Sequence, residues 1–220
     1  MGSPGERIRP LMLRHALLIT GGPAPRNIGV LPKADLVIAA DEGFDNAGSL
    51  GIHVDLLVGD LDSASPGAAD QAPAVERHPV DKDETDLELA LAAALNAGMT
   101  SVTVVGTISG RVDHALGNLL VVAADRWAGI RIDLRIDGTR AWVVRDRVEI
   151  RGTVDDLVSL LAIGGQATGV TTTGLAWPLS DSVLDPGAGL GLSNRMADPT
   201  ATVEVASGVV IVFMSTTKGP

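Results

Sequence analysis

Two hundred and twenty residues with 45% apolar content can bury one large core or two modest ones. A net charge of −10, with two phenylalanines, three tryptophans and no tyrosine, supplies neither the basic face nor the stacking platforms of a nucleic-acid surface, and the lack of cysteine excludes disulfides, thiolate nucleophiles and cysteine-ligated zinc. No apolar run approaches the roughly 18 residues of a spanning helix, and the first 15 residues lack a signal-peptide apolar segment, so a cytoplasmic protein with no membrane partner is expected.

In chain order, HALLIT (15–20), ADLVIAA (34–40), VDLLVG (54–59) and SVTVVG (101–106) are short apolar runs bounded by turn residues, as in parallel strands buried on both faces. Between the last two lies a predicted helix over 84–97: Leu87, Leu91 and Leu95 share a face, Gly98 stands at the C-terminal cap, and Asp83 and Asp86 have the spacing of an N-cap and its partner. A second helix is predicted from Arg111 to Gly129. Strand and helix alternate over about the first 130 residues, the signature of an open α/β sheet.

Beyond that point the runs IRIDLRIDGTRAWVVR, LVSLLAI, ATGVTTTG, TATVEVAS and VVIVFM are β-type, without a convincing helix. The expected fold is therefore an N-terminal open parallel (Rossmann-like) sheet domain over 1–140, followed by a C-terminal antiparallel β-sandwich over 141–220. A tight turn in RIDGTRAWV joins the two.

Ligands of open α/β sheets bind outside the carboxyl ends of the strands. Here those ends carry Gly21-Gly22, Asp41, Asp60-Leu61-Asp62 and Gly106, the last followed by TISGRVDH, while the run DKDETD (81–86) precedes the fourth strand by one helix. Asp41, Asp60, Asp62, Asp83, Asp86 and Asp113 should converge on one crevice. Taken singly, each suits a helix cap, a solvated turn or a surface ion pair; together they repel one another and call for a cation. Magnesium with attached phosphates meets that need, and Lys82 and Arg111 would touch phosphate directly. The chain has no P-loop, kinase signature, EF-hand, zinc-spaced histidines or nucleophile elbow.

These motifs resemble the thiamine pyrophosphokinase (thiamine diphosphokinase) family along nearly the whole chain. The blocks are ADLVIAAD ending at Asp41, LVGDLDS (57–63), DKDETDLELAL (81–91), GTISGRVDHALGNL (106–119), GVTTTGLAWPL (169–179) and GLSN (191–194). The resemblance implies transfer of the pyrophosphoryl group of ATP to thiamine, giving thiamine diphosphate and AMP, with Mg2+ as the metal. It implies that Asp41, Asp60, Asp62 and Asp86 hold magnesium and the phosphate chain, with Lys82, Asp83, Thr85, Arg111 and Asp113 around them, and leaves Asp60 and Asp86 as alternative acceptors of the alcohol proton. It further implies that Trp177, Ser193 and Asn194 bind thiamine and that a homodimer shares its sites between chains. Two departures stand out: Asp41-Glu42-Gly43-Phe44-Asp45 replaces the family's usual Asp-Gly-Gly-Ala-Asn, and Ser109 replaces a glycine. The alternatives are a pyrophosphokinase for another alcohol, such as a hydroxymethylpterin, and a sensor that binds without turnover. A metal-dependent glycosyltransferase would explain Asp-Leu-Asp but none of the other blocks.

Overall fold

The computed structural model describes residues 14–215, so the segment before Arg14, including the residues read above for a signal peptide, lies outside the description. Six strands pair in parallel: β1 (His15–Ile19), β2 (Leu36–Ala40), β3 (Leu56–Gly59), β4 (Ala74–Arg77), β5 (Ser101–Gly106) and β6 (Arg131–Ile136). Their order, β6-β5-β1-β2-β3-β4, reverses direction beside β1, which opens a crevice at the carboxyl edge. The four predicted strands are all present. β4 was not predicted, because AVER lies at the sheet's edge, carries Glu76 and Arg77, and lacks the apolar run of its neighbours.

Both faces of this sheet are covered. Helices α1 (Gly43–Ser49) and α2 (Ala68–Gln71) pack over Leu17, Ile19, Leu57 and Val105. Helices α3 (Asp86–Asn96) and α4 (Val112–Val122) cover Ala16, Leu18, Val58 and Val104 on the other side. Two expectations about the helices need correction. The N-cap of α3 is Thr85: its hydroxyl accepts from the Glu88 amide at 3.3 Å, and the Glu88 carboxylate accepts from the Thr85 amide at 2.7 Å. Asp83 therefore does not cap, and Asp86 is the first helical residue. Helix α4 ends at Val122 and not near Gly129, because the Arg145 guanidinium donates to the Ala123 and Ala124 carbonyls and closes the helix end there.

After β6 an Asp137-Gly138 turn, with φ of 43° and 86°, reverses the chain into β7 (Thr139–Val144). β14 (Val210–Ser215), β9 (Leu157–Ala162) and β12 (Asn194–Arg195) then add antiparallel strands to the same sheet, giving ten in the order β12-β9-β14-β7-β6-β5-β1-β2-β3-β4. β8 (Arg147–Arg151), β10 (Ala167–Thr173), β11 (Ser182–Leu184) and β13 (Thr200–Glu204) form a second sheet. Its Ile150, Val170, Ala201 and Val203 pack on Val144, Val158, Leu160, Val210 and Val212 of the first. The sandwich thus borrows one layer from the continuation of the parallel sheet. Among the described residues no helix is long and apolar enough to cross a membrane.

Replacing Thr85 by Ala is expected to lower stability by about 1 kcal/mol through loss of the cap, while Asp83→Ala stays within about 0.5 kcal/mol. Urea denaturation of both variants checks this assignment.

Candidate active site

The carboxyl ends of β2 and β3 bring Asp41, Asp60 and Asp62 together, with one carboxylate oxygen of each inside a 4.8 Å group. Backbone shape makes this possible. Asp41 and Leu61 have positive φ values of 48° and 66°, which swing the chain sharply at each strand end. Gly59 sits between the strands at φ 147°, where a β-carbon would come within 3.2 Å of both the Asp41 β-carbon and Asp86 Oδ1. Only a residue without a side chain lets those groups close in.

Asp41 is buried, and its Oδ1 has no hydrogen-bond partner. Burial raises its pKa, and the nearby Asp86, Asp60 and Asp62 charges add to the rise against one bond from the Glu42 amide. The single ammonium among these acids is Lys82, which donates to Asp60 Oδ2 at 3.1 Å and Asp86 Oδ1 at 2.9 Å. Burial alone would raise the Asp60 pKa, but its bonds to Lys82 and the Asp62 amide outweigh that and hold it below its usual range. For Lys82, burial opposes the charge, and its bonds to Asp86 and Asp60 more than reverse this. One lysine cannot neutralise four carboxylates. A cluster of hard oxygen donors with an orphaned buried oxygen fits a magnesium-like cation, and Asp41, Asp60 and Asp62 would be its protein ligands.

The other expected residues are placed as follows. Asp86 joins the cluster through Lys82, whereas Asp83 is exposed and makes no ion pair among the described residues. Thr85 spends its hydroxyl on the helix cap. Arg111 and Asp113 pair with each other at the exposed start of α4, bound at 2.6 Å, and the Arg111 guanidinium holds Asp113 down at a pKa of about 2. No side chain caps that helix start. Trp177 is 59% exposed and is therefore not a sandwich-core residue. The buried Asn194 donates to the Trp177 carbonyl at 2.7 Å and accepts from its amide at 3.1 Å, so it fixes the indole's backbone. Ser193 adopts φ 57° on the adjoining turn.

Along the sheet of one chain, Trp177 and the acids stand well apart. Asn194 lies in β12, seven strand positions from β2, which at about 4.8 Å per strand is roughly 34 Å across the sheet. Reading the residues alone also missed what the unusual Glu42 and Asp45 do. Glu42 accepts from the Gly22 amide at 2.8 Å and Asp45 from the Ser65 amide at 2.9 Å, so both anchor the loops after β1 and β3. Their signal was their position, Glu42 directly after Asp41 and Asp45 one turn further on, facing two glycine- and serine-rich loops.

An open parallel sheet with an acid cluster at its carboxyl edge, continued into a β-sandwich, is the architecture of an α/β enzyme with its site at the strand ends. Residues 29–133 match the thiamin pyrophosphokinase catalytic domain and residues 147–210 the thiamin pyrophosphokinase vitamin B1 binding domain. The chain belongs to the thiamin pyrophosphokinase family. It is 28% identical to the thiamine pyrophosphokinase of Bacillus subtilis over 209 residues, covering 90% of this chain and 97% of that one. Thiamine pyrophosphokinase 1 of Arabidopsis thaliana is 27% identical, with 90% and 85% covered. A crystal structure of the Bacillus subtilis thiamine pyrophosphokinase superposes with a TM-score of 0.80 at 25% identity, covering 93% of this chain and all of that one.

The raised Asp41 pKa has a definite sign in stability. The folded, metal-free protein holds this proton more tightly than the unfolded chain, so its stability falls as pH rises through a window just above the ordinary carboxylate range. Asp41→Asn is expected to remove that decline in melting curves recorded with chelator. A wild-type and variant difference that does not change across the window contradicts the assignment.

Proposed function

We propose that this chain is a cytoplasmic, homodimeric thiamine pyrophosphokinase that transfers the pyrophosphoryl group of ATP to the hydroxyethyl oxygen of thiamine, giving thiamine diphosphate and AMP. The observation that carries this reading is the Asp41, Asp60 and Asp62 cluster, with only Lys82 among the described residues ion-paired to it. The site needs positive charge and attached phosphate, and family membership supplies the acceptor. Magnesium held by Asp41, Asp60 and Asp62 would neutralise the triphosphate and the charge that develops on it.

The chain's own groups do the rest. Lys82 turns from Asp60 and Asp86 toward the incoming phosphate oxygens, and Arg111, exposed and paired only with Asp113, does the same from the start of α4. Asp86 Oδ1, relieved of the ammonium, accepts the alcohol proton as the thiamine oxygen bonds to the β-phosphorus and the bond to the AMP oxygen breaks. Asp60, already held in its charged form, is a better ligand than base. Such transfer depends chiefly on positioning and charge neutralisation, which this set of groups provides.

The separation of Trp177 and the acids along one chain's sheet supports a shared site. An exposed indole about 34 Å from its own chain's cluster can meet a reacting alcohol only if a second copy brings it there. Val112, Leu116 and Leu120 also line the outer face of α4, exposed at i, i+4 and i+8, although the inner face of that helix is apolar too. An exposed apolar stripe of this kind is expected to be covered, which suits a second subunit.

Magnesium-dependent release of AMP from ATP is expected only when thiamine is present. Thiamine binding without AMP would identify a sensor, and AMP release with a hydroxymethylpterin alcohol but not thiamine would identify the related pyrophosphokinase. Asp62→Asn is expected to lower kcat at least about 100-fold with an unchanged melting temperature, and Trp177→Ala to raise the thiamine KM far more than the ATP KM. Steady-state kinetics with each substrate varied in turn checks both.

A further inference from the structure

Asp137 occupies the first position of the two-residue turn between β6 and β7, where Asn-Gly and Asp-Gly are the favoured pairs. Turn aspartates commonly direct their carboxylate at nearby turn amides. This one does not. Oδ2 accepts from the Thr107 hydroxyl at 2.5 Å and from the Ile108 amide at 3.2 Å, and Oδ1 accepts from the Arg26 amide at 3.0 Å. All three donors are remote in sequence and belong to the two loops that leave β1 and β5 at the carboxyl edge.

The chain of contacts runs further. The Thr107 hydroxyl, fixed by Asp137, accepts from the Ser109 amide at 2.9 Å. That sets the path into Gly110, whose missing β-carbon would lie 3.4 Å from Pro23 in the opposite loop, and then into Arg111. At its other end the β1 loop is tied to α1, through Glu42 at the Gly22 amide and through the Asn46 amide group at the Thr20 and Gly22 carbonyls. The β5 loop has no comparable tie to α1 among the described hydrogen bonds. Its link to the rest of the edge passes through the turn that begins the β-sandwich.

We infer that Asp137 is a positioning residue for nucleotide: its carboxylate clamps the β1 and β5 loops together and so sets the height of Arg111 and the free start of α4 over the acid cluster. The inference rests on the nucleotide-dependent reading given under Proposed function. The same carboxylate hangs the Arg111 loop from the hairpin that leads into the sandwich, so the two halves of the chain are registered at this point. Two neutral replacements separate a clamp from a turn. Asn at this position keeps, and even favours, the type I′ turn but presents one acceptor oxygen where three donors converge. Thr107→Val removes the hydroxyl without touching the turn, and Thr107→Ser keeps it.

The test combines hydrogen exchange of the metal-free protein with steady-state kinetics. Asp137→Asn and Thr107→Val are expected to speed amide exchange at Ile108 and Ser109, with Arg26 also affected in the first variant, while the β1 and β5 amides keep their protection. Both should raise the ATP KM about tenfold, with kcat and the thiamine KM within about twofold, and Thr107→Ser should restore the wild-type ATP KM. Exchange unaltered by Asp137→Asn overturns the clamp whatever the protein's activity. Faster exchange with an unchanged ATP KM overturns the positioning role. A wild-type protein that turns over no ATP overturns the proposed function instead, and is told apart because the exchange measurement needs no substrate.

Discussion

Four carboxylates around one ammonium set the terms for this molecule. Two unit charges about 4 Å apart repel by about 4 kcal/mol at an effective dielectric near 20, and Asp41, Asp60 and Asp62 each place a carboxylate oxygen within a 4.8 Å group at the strand ends. Lys82 satisfies Asp60 and Asp86, and Asp41 retains a buried oxygen with no partner. Local structure imposes this strain. Gly59 removes the β-carbon that would hold the groups apart, and the positive φ values at Asp41 and Leu61 aim them inward. A fold that concentrates negative charge at the crevice of its carboxyl edge suits a cation and the phosphates that travel with it.

The second constraint is one of length. Because the antiparallel strands extend the parallel sheet, the β-sandwich is placed beside the α/β layer and not over its carboxyl edge. Its exposed Trp177, pinned by Asn194, is thereby kept from the acids of its own chain. Transfer between two substrates requires their reacting atoms to touch, and the proposed second copy would bring the two together. The apolar outer face of α4 points the same way by an independent argument, that of uncovered hydrophobic area.

Much of this was legible in the sequence. The apolar runs at 15–20, 34–40, 54–59 and 101–106 could only be doubly buried strands, and the strand-end rule then placed Asp41, Asp60 and Asp62 together. Asp86 joined them through Lys82, and Asp83 lost only its expected place as the cap, because Thr85 and Glu88 hold the helix start. A hydroxyl three residues before a glutamate was the stronger capping signal, and the surrounding acids masked it. The end of α4 was illegible for a different reason: Arg145, the residue that closes it, lies 22 positions away and contacts it only in the folded chain. β4 carries no pattern of its own and exists because β3 offers it an edge. Glu42 and Asp45 were visible as oddities near the site, yet only the loops they hold give them a role.

The central claim, that the acids of one chain act on an acceptor held by the sandwich of another, is tested most directly by mixing two impaired proteins, assayed at a thiamine concentration far below the KM of the Trp177→Ala variant. Asp62→Asn lacks a working acid cluster and Trp177→Ala a working acceptor site, so a dimer with one of each has one intact site of its two. Unfolded and refolded together in equal amounts, they are predicted to recover about a quarter of wild-type thiamine-dependent AMP formation, since half the dimers are mixed and each carries one good site. No recovery, from a mixture shown by mass to contain mixed dimers, would contradict the shared site and the account built on it.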